Sequence, residues 1–236
     1  MSNELNYLSG LPVHINEIPI YPLSLKEIAG LGEPLFNIYL GCLLINDNHI
    51  PELKKLNIDV FDYLCVLSTL KYEDGLIFKS ALELVTKCKI EVQIIDDKVH
   101  MLLDEKFILD RKTFSLIQLV IREQYFLSDS TPNHKFNPAN DKARELKEKL
   151  DKIKNKLSKD NKDNQINLND IISIVASYTP NLNILDVWNL TVYQLYHLYI
   201  RLIMKDTYES EFQQLLQGAD PKKLTLKHWI AKVEGK

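Results

Sequence analysis

The sequence has no strong excess of charge of either sign and no long uninterrupted apolar run. Its 29 lysine and arginine residues are balanced by 32 aspartate and glutamate residues, which gives a formal net charge of -3. A chain without a global basic field gains no general attraction for nucleic acid. No stretch approaches the roughly 18 apolar residues of a membrane-spanning helix, and residues 1–10 lack the features of a secretory signal. We therefore expect a soluble, cytoplasmic protein.

Cysteine is scarce, and no motif for a metal or a cofactor is present. Cys42, Cys65 and Cys88 are odd in number, lie far apart and sit among apolar residues of predicted helices, so we expect buried thiols. The six histidines lack paired spacing, and neither CxxC nor HExxH occurs. The sequence also lacks a phosphate loop, a dinucleotide fingerprint and a nucleophile elbow. We expect no metal and no cofactor.

One group of residues on a predicted helix suits acid and base chemistry. His197 and Arg201 are one helical turn apart, with Asp206 or Glu209 nearby. The other face of this helix is crowded with leucine, so a surface position for His197 is the simpler interpretation. We expect no catalytic residue, and an enzyme is the least favoured class of protein.

Hydrophobic periodicity predicts a mainly α fold that begins with a multi-helix domain over residues 1–130. Ser24 and Glu27 have the spacing of a capping box, which marks the start of a helix. Pro34 should divide this helix in two, because proline removes a backbone donor. Asp59 can cap the next helix.

Two segments of this first domain have the composition of strands. Residues 14–23 combine β-branched residues with prolines, which indicates an extended arm or a short edge strand. Residues 90–109 alternate in polarity around Asp96 and Asp97, which predicts a β-hairpin that turns at this acidic pair. A third strand at residues 106–109 would extend the hairpin.

The middle of the chain, residues 131–165, is predicted to hold a polar loop, a charged helix and a polar linker. The charged helix, residues 141–159, has a single narrow apolar seam, and this seam buries little surface. It is either a solvated helix or a helix that pairs with a partner or with itself. Its lysines alternate with acidic residues that cancel most of the local field, which argues against a nucleic-acid arm.

The last part of the chain, residues 166–236, is predicted to be a helical subdomain. Thr191 and Gln194 form a second capping box. The predicted helices are residues 168–176, a long helix from Thr191 to about Met204, residues 208–216 ending at Gly218, and a final helix that is capped by Thr225 and carries Trp229. Tyr193, Tyr196 and Tyr199 are spaced by three residues without interleaved basic residues, so packing explains them better than base stacking.

The stretch from Leu168 to Val233 resembles a family of phage and prophage proteins of Gram-positive bacteria that act as tail assembly chaperones. Three strings carry the resemblance: NDIISIVA with Asp170, Ile171 and Ile172; VWNLTVYQLY with Trp188, Leu190, Thr191, Tyr193, Gln194 and Leu195; and QGADPKKLTLKHWI with Gly218, Ala219, Asp220 and Pro221. The segment IYPLSLKEIAGLG, residues 20–32, resembles the opening of the same family.

The resemblance implies a helical binding protein without an active site. Such proteins look like factors that coat the tape measure protein while tail tube subunits polymerise around it. The residues expected to contribute to binding are Trp188, Tyr193, Tyr196, Tyr199 and Trp229, because aromatic side chains often dominate interface energetics. Burial in the core is the competing interpretation for each of them.

Two other classes of protein are also consistent with the sequence. The first is a phage structural component, such as a connector or baseplate protein, which would remain in the virion. The second is a DNA-binding or host-directed regulatory protein, whose affinity for DNA would depend on salt. Self-association also stays open.

Overall fold

The computed structural model describes residues 3–47, 49–95, 98–127, 167–179, 182–221, 224 and 226–231. These residues form ten helices and two small antiparallel sheets, so the protein is mainly α, as the sequence predicts. The helices are α1 (Glu4–Ser9), α2 (Leu25–Leu31), α3 (Glu33–Leu43), α4 (Pro51–Lys55), α5 (Val60–Thr69), α6 (Glu73–Thr86), α7 (Arg111–Gln124), α8 (Leu168–Tyr178), α9 (Ile184–Val187) and α10 (Val192–Leu216). The predicted loop, charged helix and linker of residues 131–165 lie outside the described residues.

Three predicted helix starts, at Ser24, Asp59 and Thr191, are confirmed. Ser24 and Glu27 form a reciprocal capping box at α2, and Thr191 and Gln194 form another at α10. The side chain of Asp59 accepts a hydrogen bond from a backbone N–H of α5. A break before Pro34 separates α2 from α3, as the sequence predicts. Local sequence therefore sets these boundaries.

The first sheet is a two-stranded hairpin formed by β1 (Val13–Ile15) and β2 (Ile18–Ile20), rather than the single arm or edge strand that the sequence indicated. Its turn residues, Asn16 and Glu17, both have positive φ angles of 48° and 70°. Such a turn matches the twist of paired strands. Glutamate has no preference for this conformation, so only Asn16 indicates the turn in the sequence.

The second sheet contains β3 (Ile90–Ile95), β4 (Lys98–Leu103) and β5 (Phe107–Leu109) in sequential antiparallel order. The predicted hairpin and its third strand are confirmed. The acidic pair proposed as its turn lies outside the described residues. Ile90, Met101 and Leu103 are fully buried, so this sheet forms one side of the core.

Helix α6 lies at the centre of this core. Its Phe78 is fully buried and packs against Phe61 of α5 and Phe114 of α7, with ring centroids 6.4 and 5.4 Å apart. Gly75, in the first turn of the same helix, lies very close to α5, and Ser68 Oγ donates a hydrogen bond of 2.9 Å to the carbonyl oxygen of Gly75. A Cβ atom at Gly75 would lie 2.2 Å from the backbone nitrogen of Ser68.

Helices α8 to α10 complete the same hydrophobic core. Six buried aliphatic side chains from this part of the chain join it: Ile171, Ile172, Val175, Val187, Val192 and Leu195. Backbone hydrogen bonds also link α2 to the segment before α10. The N–H groups of Leu25 and Lys26 at the start of α2 donate to the carbonyl oxygens of Leu190 and Trp188, at 2.8 and 2.9 Å. These bonds satisfy donors that have no partner within a helix.

The end of the chain differs from the sequence prediction in two ways. Residues 192–216 form one continuous helix rather than two, and the helix ends before Gly218, which has a φ of 91°. The stretch around Asp206 has polar residues that also occur at helix starts, but their side chains are exposed and disturb no packing. Trp229 lies in a turn and not in a helix. Its predicted cap, Thr225, lies outside the described residues.

The tail of residues 226–231 runs back along α10. Leu226 N–H donates to Glu211 Oε2 at 2.7 Å, and Arg201 Nη1 donates to the carbonyl oxygens of Trp229 and Ala231 at 2.9 and 2.6 Å. The tail therefore has an antiparallel path beside the helix. The bonds that hold it involve its backbone, so local sequence did not reveal them.

The thiols are largely buried. Cys65 and Cys88 are buried, and Cys42 is half-buried. Burial raises the pKa of Cys42 to about 11 and of Cys65 to about 12. Within the described ranges, no helix combines the length and the apolar character needed to cross a membrane.

Candidate partner-binding groove

An open groove with a volume of about 470 Å³ lies between α3 on one side and the starts of α8 and α10 on the other. Its wall on α3 consists of Glu33, Phe36, Asn37 and Leu40. These residues are spaced at three and four, so they share one face of the helix. At 1.5 Å per residue this wall is about 10 Å long, or two helical turns.

The opposite wall combines apolar side chains with two asparagines, Asn167 and Asn169. It includes Trp188, and Val192 and Tyr196 one turn apart on α10, together with Leu168 and Ile172 of α8. The capping boxes of α8 and α10 fix where these helices begin, and so determine which side chains border the groove. The two walls come from opposite ends of the sequence.

Side chains of α2 and of the end of α7 lie between the two walls. Ile28 and the small Ala29 of α2 contribute, together with Tyr125. The ring of Tyr125 packs against Phe36, with centroids 5.4 Å apart, and burial raises the pKa of its hydroxyl. The tyrosine is therefore neutral under ordinary conditions and acts as part of an apolar surface.

The described residues around the groove carry little charge. Glu33 is the only charged residue between Ile28 and Asn46 in the sequence, and none of the described lining residues is lysine, arginine or aspartate. On α3, Leu35 and Ile38 are also 38% and 52% exposed. Exposed apolar side chains beside an apolar groove are typical of protein-binding surfaces.

The structure divides the five predicted binding residues among different environments. Trp188 and Tyr196 line the groove. Tyr193 instead packs against Tyr7 and Phe126, with ring centroids 5.2 and 4.7 Å apart.

The remaining two candidates lie elsewhere on the last helix and tail. Tyr199 is half-buried against the core. Trp229 is 40% exposed in the tail, where its ring stacks on His228. The five residues therefore do not form one surface.

Sequence reasoning missed the wall on α3. Neither Phe36 nor Leu40 was among the residues predicted to bind, although the lack of charge around them is visible in the sequence. Most surface helices carry a charged face. A helix with Glu33 as its sole charged side chain therefore indicated an apolar surface, but not where that surface lies.

The acid and base group is not assembled. His197 stacks on Tyr193 with ring centroids 6.3 Å apart, while Arg201 Nη1 donates to two carbonyl oxygens of the tail. Asp206 is nine residues from His197 on one continuous helix, which is about 13 Å along the axis. Among the residues that can be described, no cluster of His, Cys, Asp and Glu could hold a metal ion.

His197 should contribute to the acid sensitivity of the fold. Burial, and next the positive charge of Arg201, lower its pKa below the ordinary value of 6.5. The unfolded chain therefore binds this proton at a higher pH than the folded chain, so acidification from about pH 7 to pH 5 favours unfolding. His197→Gln should flatten part of the decrease in Tm across this range. Thermal unfolding at a series of pH values tests this, with the exposed His14→Gln as the control; an unchanged profile in the His197 variant would contradict it.

The carboxy-terminal part of the chain is similar to a domain family that is associated with phages and prophages. Residues 159–234 match the family described as the YomV second domain, named after a Bacillus prophage gene. The match covers less than half of the chain and includes α8, α9 and α10. It supports a phage-related origin for this part of the chain. No curated protein and no solved structure matches the chain.

Proposed function

We propose that the protein is a phage tail assembly chaperone-like factor whose groove binds an apolar helical segment of an aggregation-prone tail protein. The tape measure protein is the candidate partner, and tail tube subunits would displace the factor during assembly. The observation that carries this proposal is the open apolar groove between α3 and α10. In this proposal the protein is not an enzyme and needs no cofactor.

The dimensions of the groove suit a helix that binds and is later released. An amphipathic helix can place apolar side chains at three- and four-residue steps into a groove two turns long. Each buried leucine contributes about 1.5 to 3 kcal/mol, and association itself costs several kcal/mol. A site of this size therefore gives modest affinity for each segment, which permits release when tube subunits arrive.

The experiment is co-expression with the tape measure candidate from the same genomic neighbourhood, followed by pull-down and a solubility assay. Ala29 is exposed at the groove, so Ala29→Trp should obstruct the groove without removing a core contact. We expect the wild type and Ala29→Ser to keep the partner soluble, and Ala29→Trp to lose most of this effect. Trp188→Ala and Tyr196→Ala should weaken it, provided that circular dichroism shows both variants folded.

Trp229→Ala is the matched aromatic control, because this ring lies on the tail and not in the groove. It should retain binding. If the wild-type protein never associates with the partner and is instead found in purified virions, the protein is a structural component such as a connector or baseplate subunit. The chaperone proposal is then wrong.

A further inference from the structure

We infer that the segment bound in the groove carries a lysine or arginine one helical turn beyond its apolar anchors, and that this cation pairs with Glu33. The inference rests on the proposed function, because it specifies the partner of the same groove. Glu33 lies at the first turn of α3 and at one end of the groove wall. Among the described residues that line the groove it is the only charged one, so it attracts a cation on an occupant.

Glu33 is available for an ion pair with a partner. Among the described residues it makes no salt bridge and no side-chain hydrogen bond, and it is exposed. By contrast, Glu27 on the preceding helix is bound to Ser24 and Lys87. An acidic residue at a helix start also interacts favourably with the helix dipole, so a test must separate this local effect from binding.

The position of Glu33 relative to Phe36 and Leu40 specifies the partner further. These apolar residues lie one and two turns along the same face of α3. Consider a partner helix that lies along this wall and fills the groove with apolar side chains. Its residue one turn beyond those side chains then lies next to Glu33. A cation there gains attraction, whereas a glutamate there is repelled by Glu33.

The test uses helical peptides of about sixteen residues, labelled with a fluorophore and measured by anisotropy. Each peptide carries leucines at three- and four-residue steps among alanines and glutamines. One lysine, glutamate or glutamine is placed one turn before or one turn after the leucines. The two placements cover a peptide bound parallel to α3 and a peptide bound antiparallel to it. The proteins are the wild type, Glu33→Lys, Glu52→Lys and Ala29→Trp.

Glu52→Lys is the matched control. Glu52 is also exposed in the first turn of a helix beside a proline, but it does not line the groove. We expect the wild type and Glu52→Lys to bind one of the lysine peptides about two- to fivefold more tightly than its glutamine counterpart. Glu33→Lys should reverse this order and prefer the matching glutamate peptide, and added salt should reduce both differences.

The other outcomes separate the inference from the proposed function. If all peptides bind the wild type and Glu33→Lys equally, and Ala29→Trp does not bind them, the groove binds apolar helices but Glu33 does not select the charge. The inference is then wrong and the proposed function stands. If no peptide binds the wild type, or if Ala29→Trp binds as well as the wild type, both are overturned.

Discussion

Gly75→Ala is expected to lower the free energy of unfolding by about 3 kcal/mol or more. The new Cβ atom would lie 2.2 Å from the nitrogen of Ser68 and 2.3 Å from the carbonyl carbon of Leu67. Both atoms belong to backbone, so no side chain can rotate away. Helix α6 must move from α5, which strains the hydrogen bond from Ser68 Oγ to Gly75 and the packing of the central core.

Gly41→Ala is the matched control for this substitution. Gly41 is also inside a helix, but a Cβ atom there meets nothing within 4 Å. Alanine has a higher helix propensity than glycine, so this variant should gain about 0.5 to 1 kcal/mol. Urea unfolding followed by circular dichroism compares the two variants. Equal effects at both positions would contradict the close approach of α5 and α6.

The second large effect on stability is expected when the chain is divided after residue 130. Residues 1–130, expressed alone, should fail to form a stable cooperative fold. They would lose six buried aliphatic side chains from α8 to α10, each contributing about 1.5 to 3 kcal/mol. The combined loss is comparable with the whole stability of an ordinary domain. The backbone N–H groups of Leu25 and Lys26 would also lose their acceptors.

Co-expression of residues 1–130 with residues 166–236 tests whether the instability of residues 1–130 comes from the missing contacts with α8 to α10 or from the cut itself. We expect the two fragments to associate and recover a cooperative thermal transition, while either one alone binds a dye for exposed apolar surface. A transition of residues 1–130 alone at the Tm of the whole protein would show that this part is an independent domain. The domain boundaries expected from the sequence would then gain direct support.

Local signals in the sequence predicted most of the helices, because their determinants lie within a few residues. Ser24 with Glu27, and Thr191 with Gln194, illustrate this: each pair satisfies free N–H groups at a helix start. The features that were missed depend on partners that are distant in sequence. The tail follows α10 because Arg201 binds its carbonyl oxygens, and no local pattern specifies that contact.

The groove could be predicted only in part for the same reason. Trp188 and Tyr196 were predicted as binding residues from their aromatic character and a family resemblance, and both line the groove. Tyr193 carries the same signal but packs against Tyr7 and Phe126. Helical spacing alone cannot separate these two tyrosines. The separation requires knowing that α3 lies opposite one face of α10.

The hydrogen bonds between α2 and the segment before α10 also determine when the groove can form during synthesis of the chain. During synthesis, α2 and α3 leave the ribosome long before Trp188 and Leu190 are made, on the order of ten seconds at ordinary elongation rates. Until then the N–H groups of Leu25 and Lys26 lack their acceptors, and the groove has only one wall. On the proposed function, the nascent chain therefore cannot hold its partner while the groove has only one wall. The second wall forms only after residue 196 has left the ribosome, so capture of a partner must follow that point of synthesis.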